Sequence, residues 1–375
     1  ETHGTDRRLE YIEVAIEVTK GAKAGQDIYI KEATGQTRIA GQFIKAEKDS
    51  SGRHFFHYIF PVTIRANERK LFNLQWQAGD LPINPLLTTG TGPAIVVKNN
   101  FYEADLTANT SNANTPLAPG NLKSLKLLQF GDKLLKRSAI NMHWNPSFQK
   151  NGSEDYFTSS HIHKPDSIWV TQGPYSTILF LSGTVFGHAD IRFSWRYQFF
   201  AGLPYFKYSS EILVTDSVEL FLLRNDEMTM DNLFTHLTYH SSHEKRITIP
   251  LYDGHSVHDL EQNPIKDDAK WLLFYHDSLK YGYGSLRIKY DNTSKNGGVS
   301  PLYQPHTKIS EGVSGGRYWN RRLIHAHPTW ALKGSRYYEE NGYLIMDMRK
   351  QTVEQIVNEY GAAVWHPLRV KIKTN

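Results

Sequence analysis

The sequence predicts an all-β protein, built on a large antiparallel β-sandwich with few short helices. Three observations lead there. Ile191, Phe193, Trp195, Tyr197 and Phe199 alternate with Arg192, Ser194, Arg196 and Gln198, the period of a strand with one apolar and one polar face. The turn Ala201-Gly-Leu-Pro204 then leads into a second alternating run, Tyr205 to Val214. The chain is also rich in aromatics, with 21 Tyr, 18 Phe and 8 Trp in 375 residues, and these side chains favour strands.

The remaining elements follow the same signals. Tyr11–Val18, Gln26–Ile30, Gln36–Lys45, His54–Ala66 and Lys70–Trp76 read as strands separated by Gly, Asp and Ser clusters. Residues 1–80 are therefore expected to form a small sandwich layer or the first sheet of a larger one. Leu81 to Pro93, rich in Pro, Gly and Thr, reads as a linker, and the main sandwich is expected over 92–375. Thr107 to Gly120 reads as a disordered connection or a binding loop. From Lys123 onward nearly every apolar run has strand character, the exception being Thr352 to Gly361. There Val353, Ile356, Val357 and Tyr360 share one face of a helix.

Composition excludes several functions. The chain has no cysteine, so thiolate metal sites, disulfides and cysteine nucleophiles are ruled out. A net charge of +5, spread without a Lys/Arg run, argues for no nucleic-acid partner and is compatible with an acidic ligand. No apolar run reaches the ~20 residues of a membrane helix, so no membrane span is expected. The start at Glu1 suggests a mature or trimmed product, and a secreted or periplasmic bacterial location is the expectation. No P-loop, dinucleotide fingerprint or nucleophile elbow is present.

The order of elements resembles the galactose-mutarotase-like β-supersandwich. The matching pieces are Trp169-Val-Thr-Gln-Gly-Pro174, Ile178–Thr184, and the Arg196-Tyr197 strand leading through Ala201-Gly202 to Tyr205. Ala269-Lys-Trp-Leu-Leu-Phe274, Tyr281-Gly-Tyr-Gly284 and Lys333-Gly-Ser-Arg-Tyr-Tyr-Glu339 continue it. The likeness covers roughly Gly92 to the C-terminus. It is nearest to polysaccharide lyases of the rhamnogalacturonan exo-lyase type, which act in pectin breakdown. It implies a polysaccharide or oligosaccharide substrate, and an acidic one is the expectation. Aldose epimerases of this fold use a late Glu as base and a strand His as acid. Glu339 or Glu340 with His236 or His240 would match that pair.

Four clusters carry candidate chemistry. His143 and Trp144 lie before a Pro turn, as a base beside a stacking platform or as a loop anchored by Trp144 with a solvated His143. His236 and His240 share a strand face and suit an acid/base pair, or a pair that only bonds to neighbouring strands. In Arg317 to Pro328, Arg321 and Arg322 suit a carboxylate clamp, Trp319 a stacking surface, and Tyr318 a hydroxyl donor. His325 and His327 share a face there if the strand is regular. Arg196 suits the floor of a groove. His161/His163 and His255/His258 lack a third ligand by spacing, so no metal and no cofactor is expected, although a structural Ca²⁺ on backbone and Asp oxygens would leave no signature.

The expected reaction is β-elimination on a uronic-acid glycan, with His236, His240, His143, Arg321 and His325 as catalytic candidates. Trp144, Trp319, Arg322, His327, Arg196, Tyr318 and Glu339 are the substrate-binding candidates. The alternatives are a glycoside hydrolase, drawing two carboxylates from Asp226, Glu227, Asp231, Glu339 and Glu340, and a non-catalytic glycan-binding or aldose-epimerase-like protein.

Overall fold

The alternating run builds the centre of the molecule. In the computed structural model, which describes residues 4–82, 84–231, 233–241, 246–312 and 315–372, it lies in the strand His188–Phe200. That strand pairs antiparallel with Tyr205–Val214 in the register Trp195↔Ser210 and Tyr197↔Tyr208. Eight further strands join it in one nine-stranded sheet, ordered Ser167–Thr171, Ser176–Val185, His188–Phe200, Tyr205–Val214, Arg336–Asp347, Tyr281–Asp291, Trp271–His276, His236–His240 and Ile247–Pro250.

A seven-stranded sheet packs against its inner face. Its order is Phe157–Thr158, Ser147–Lys150, Val218–Met228, Arg317–Ile324, His306–Glu311 and Ile265–Lys266, with Thr329–Ala331 also paired to Val218–Met228. A five-stranded sheet spanning Leu87–Thr91 to Lys133–Lys136 continues this second layer. Phe193, Trp195, Tyr197 and Phe199 from the large sheet meet Tyr102, Phe148, Leu220, Leu223, Trp319 and Leu323 from the facing sheets in one core. Fully burying each large apolar side chain contributes about 1.5–3 kcal/mol, so this interface dominates the stability. The fold is the large antiparallel β-supersandwich the sequence predicts.

Residues before Leu81 form two three-stranded sheets, Arg7–Val18/His54–Ile64/Gln42–Lys48 and Arg38–Ala40/Tyr29–Glu32/Phe72–Gln75. Val14, Ile28, Ile30, Phe56, Tyr58 and Phe60 form the core between them. Ile44 and Ile59 pack instead on the outer face of the large sheet, beside Tyr175, Phe200 and Tyr205. The same face is covered by the helix Val353–Trp365, which is longer than predicted. Thr352 and Gln355 close its N-terminus as a reciprocal capping box.

Two local expectations change. Within the expected linker, Leu87–Thr91 is a strand paired with Ala94–Lys98. The Thr107–Gly120 segment is ordered rather than loose. Asn109 and Leu117 bridge across it, and Trp195 Nε1 donates to the Gly120 carbonyl at 2.9 Å.

Candidate functional site on the outer face of the seven-stranded sheet

The site begins with an irregularity in the strand Val218–Met228. Its pairing with Arg317–Ile324 shifts register between Asn225 and Met228, and Asp226 sits at φ 44°. Aspartate is among the few residues that tolerate this left-handed conformation. A bulge of this kind re-aims side chains, and here consecutive carboxylates enter different environments. Asp226 joins the interior network between the sheets, while Glu227 joins the arginines of the outer layer.

Inside, Asp226 receives five donors. Trp319 Nε1 and Tyr343 OH reach Oδ1 at 3.1 and 3.2 Å, and Tyr290 OH, Arg287 Nε and Ser285 Oγ reach Oδ2 at 2.8, 3.2 and 3.3 Å. Glu339 lies in the same interior, accepting from Ser210 Oγ at 2.6 Å and Asn341 Nδ2 at 2.8 Å. Burial, and then the charge of Asp226, push the Glu339 carboxyl up to about 8. Arg321 is also fully enclosed. Its Nε and Nη2 donate to the two oxygens of Asp267 at 2.5 and 2.6 Å, Nη1 donates to Asn225, and its guanidinium lies 3.8 Å from the Tyr290 ring centroid.

Three residues predicted for substrate contact are therefore interior. Trp319 has no exposed surface for a sugar, Arg321 is committed to Asp267, and Glu339 is sealed between the sheets. His143 is likewise enclosed rather than set in a polar loop. Its Nδ1 bonds Tyr197 OH at 2.6 Å, its ring lies 4.2 Å from that of Tyr208, and burial lowers its pKa to about 3. Trp144 is half-buried, with its indole edge-on to His161 at 5.6 Å.

The outer side of the same sheet gathers a second polar cluster. Arg224 Nη1 lies 3.4–3.5 Å from the Glu227 carboxylate, and its Nε donates to Ser147 at 3.2 Å. Glu227 is 1% exposed, and burial raises its pKa against the opposing charges of Arg224, Arg322 and Arg137. Its Oε2 makes no hydrogen bond. Arg322 Nε donates to Asn320 at 2.9 Å, and Nη1 donates to His325 Nδ1 at 2.6 Å. Burial, then the charge of Arg322, lower His325 to about 4. An imidazole that accepts at Nδ1 carries its proton on Nε2, so His325 presents a neutral N–H donor. His306 abuts it edge-on at 4.9 Å. Tyr318 packs under the Arg137 guanidinium, and Tyr156 lies under that of Arg224 with 47% of its surface exposed.

The structure thus unites Tyr318, Arg322 and His325 and leaves the other candidates elsewhere. His327 does not share the face of His325, because the strand ends at Ile324 and Ala326 turns the chain at φ 48°. It stacks on Tyr303 at 3.8 Å instead. His236 and His240 do share a face, but on the outer side of the opposite sheet, against Tyr275 and Trp271. Arg196 and Lys207 form no open groove floor. They lie in a charged layer facing Glu13 of the N-terminal strands and Glu340.

Arg137, His306 and Tyr156 stand in no sequence pattern that marks them, and Arg224 carries one weak mark. The available signal was Arg224-Asn-Asp-Glu227, four polar residues interrupting an apolar strand. A separate groove of about 740 Å³ lies between the edge strands Gln42–Lys48 and Ser167–Thr171. Two of its polar side chains already join the layers, Gln42 to the backbone of Tyr175 and Ser176 and Thr171 to the Ile44 carbonyl. Among the described residues, no group of three or more His, Asp or Glu is placed to hold a metal ion. Among the same residues, no helix is long and apolar enough to cross a membrane.

Comparison with known proteins supports the architecture. The chain is similar in fold to a glycosyl hydrolase family 38 protein from Enterococcus faecalis, with a TM-score of 0.53 and 10% identity over 96% of this chain and 45% of that one. An α-mannosidase from Enterococcus faecalis V583 is similar at a TM-score of 0.52 and 10% identity, over 97% of this chain and 44% of the other. The chain spans less than half the length of these proteins, and the shared feature is the fold. No protein-family model matches the sequence, and no curated protein matches it significantly.

Proposed function

We propose that this chain is a carbohydrate-active protein that binds an acidic glycan on the outer face of the seven-stranded sheet and cleaves it by β-elimination. One observation carries the reading. The positive charges of Arg137, Arg224 and Arg322 all act on the buried carboxylate of Glu227, with Arg224 at 3.4 Å, so that among the described residues of this cluster three guanidinium groups stand against one carboxylate. Guanidinium matches carboxylate geometry, and a partly desolvated site strengthens that attraction.

The roles follow from position. Arg322 and Arg224 bind the uronate carboxylate and stabilise the charge that develops when the C5 proton leaves. Glu227, with its proton affinity raised by burial, accepts that proton. The C5 electron pair forms the C4–C5 double bond as the C4–O bond breaks. The leaving oxygen takes a proton from Tyr318 OH or from His325 Nε2–H. A hydrolase would need two opposed carboxylates at the substrate, whereas Asp226 and Glu339 turn into the network between the sheets and leave Glu227 as the carboxylate on the arginine side.

The burial of Glu227 also favours a second reading, in which the face only binds the glycan. Incubation with uronic-acid glycans separates these readings. A lyase produces ultraviolet absorbance from the new double bond, a hydrolase produces reducing ends without it, and a binding protein produces neither but shows affinity. Arg322→Ala is expected to reduce turnover or affinity by at least tenfold. Unchanged behaviour would remove the site assignment.

A further inference from the structure

Trp330 extends the same face. It lies opposite Glu219 in the pairing of Thr329–Ala331 with Val218–Met228, and its neighbour Ala331 points into the core. Opposed residues of an antiparallel pair share a face, so the indole and Glu219 both project outward, away from the core side chains Val218 and Leu220. A bulge between Leu220 and Leu222 then brings Arg224, next to the core residue Leu223, to the same outer face. The indole is 58% exposed. From Glu219 to Arg224 the strand advances five residues, one of them taken up by the bulge, so about 13 Å at the usual rise. A glycan lying along the strand with a carboxylate on Arg224 and Arg322 places a later ring over Trp330. An exposed indole provides a flat apolar surface for the C–H face of a sugar ring.

The surroundings specify which sugar. Glu219 is beside the indole, with Oε2 accepting from Asn151 Nδ2 at 2.7 Å. This end presents a carboxylate acceptor, where the other end presents three arginines. A carboxylate favours sugar hydroxyls and repels a uronate. We infer that Trp330 and Glu219 form a distal subsite for a neutral sugar, so that the preferred chain carries a uronate at the arginines and a neutral residue beyond it. This rests on the acidic-glycan reading of the same face.

Calorimetric titration with mixed uronate/neutral-sugar oligosaccharides, as disaccharide and hexasaccharide, tests the inference alongside an all-uronate hexasaccharide. Trp330→Ala is expected to weaken the mixed hexasaccharide by about tenfold, equivalent to about 1.4 kcal/mol, and to leave the disaccharide within twofold. Trp330→Tyr is expected to restore most of the loss. Glu219→Gln is expected to improve binding of the all-uronate hexasaccharide. Equal effects of Trp330→Ala on both lengths, or none, would overturn the distal subsite while leaving the acidic-glycan reading in place. A parent protein that binds none of the three overturns both.

Discussion

Adjacent arginines, Arg321 and Arg322, occupy opposite faces of one strand, and replacing each by Ala should separate stability from ligand binding. Arg321 donates twice to Asp267 and once to Asn225 and lies over Tyr290. Removing one member of a buried pair costs about 3–5 kcal/mol, because the remaining charge loses its counter-ion. The Asp267 side chain keeps 26% exposure and regains some hydration, which favours the lower end, about 3 kcal/mol. An unfolding entropy of about 2.1 cal/mol/K per residue gives about 0.8 kcal/mol/K for this chain. If it melts as one unit, Arg321→Ala lowers Tm by about 4 °C. Scanning calorimetry measures this, with Arg322→Ala as the contrasting variant, expected to melt within about 2 °C of the parent. An Arg321→Ala protein that melts with the parent and loses glycan affinity would refute the division of roles.

Two further predictions concern protons. Glu339 holds its proton to about 8 in the folded chain against an ordinary value of 4.5. Its contribution is complete below 4.5 and is lost as pH rises through about 8. Denaturant titration across that range should show this decline flattened in Glu339→Gln, since Asn341 Oδ1 has no other partner and its amide can turn to accept from the new Nε2. A decline that persists unchanged would assign it to another group. The second concerns His325, lowered to about 4, which costs stability as pH falls from 6.5 through 4. Arg322→Gln removes the nearby cation and should raise the His325 pKa in an NMR titration, without restoring it fully because burial remains the larger cause. An unchanged value would refute the contact.

Much of the fold was legible because strand period is a local property. The Ile191–Phe199 run placed its apolar face in the core, and the C-terminal helix appeared where its apolar positions required. The site was less legible. Arg317–Pro328 is dense in functional side chains, but a period-2 reading of it requires one regular alternation throughout. Ala326 ends that regularity, which separates His327 from His325. The bulge at Asp226 likewise breaks the pattern around Glu227. His236 and His240 alternate as expected, yet alternation alone does not identify the element that covers their face.

The sequence by itself determined an all-β chain, its strand faces and the absence of cysteine chemistry. Only the tertiary structure decided that Arg321 is structural and Arg322 faces outward, that Trp319 serves Asp226, and that Arg196 lies beneath the N-terminal strands. The physical reason is the range of the interactions. Backbone period is set by neighbouring residues, whereas burial and charge pairing depend on sheets joined across long sequence separations. Arg321 meets Asp267 and Trp319 meets Asp226 only after those sheets have packed.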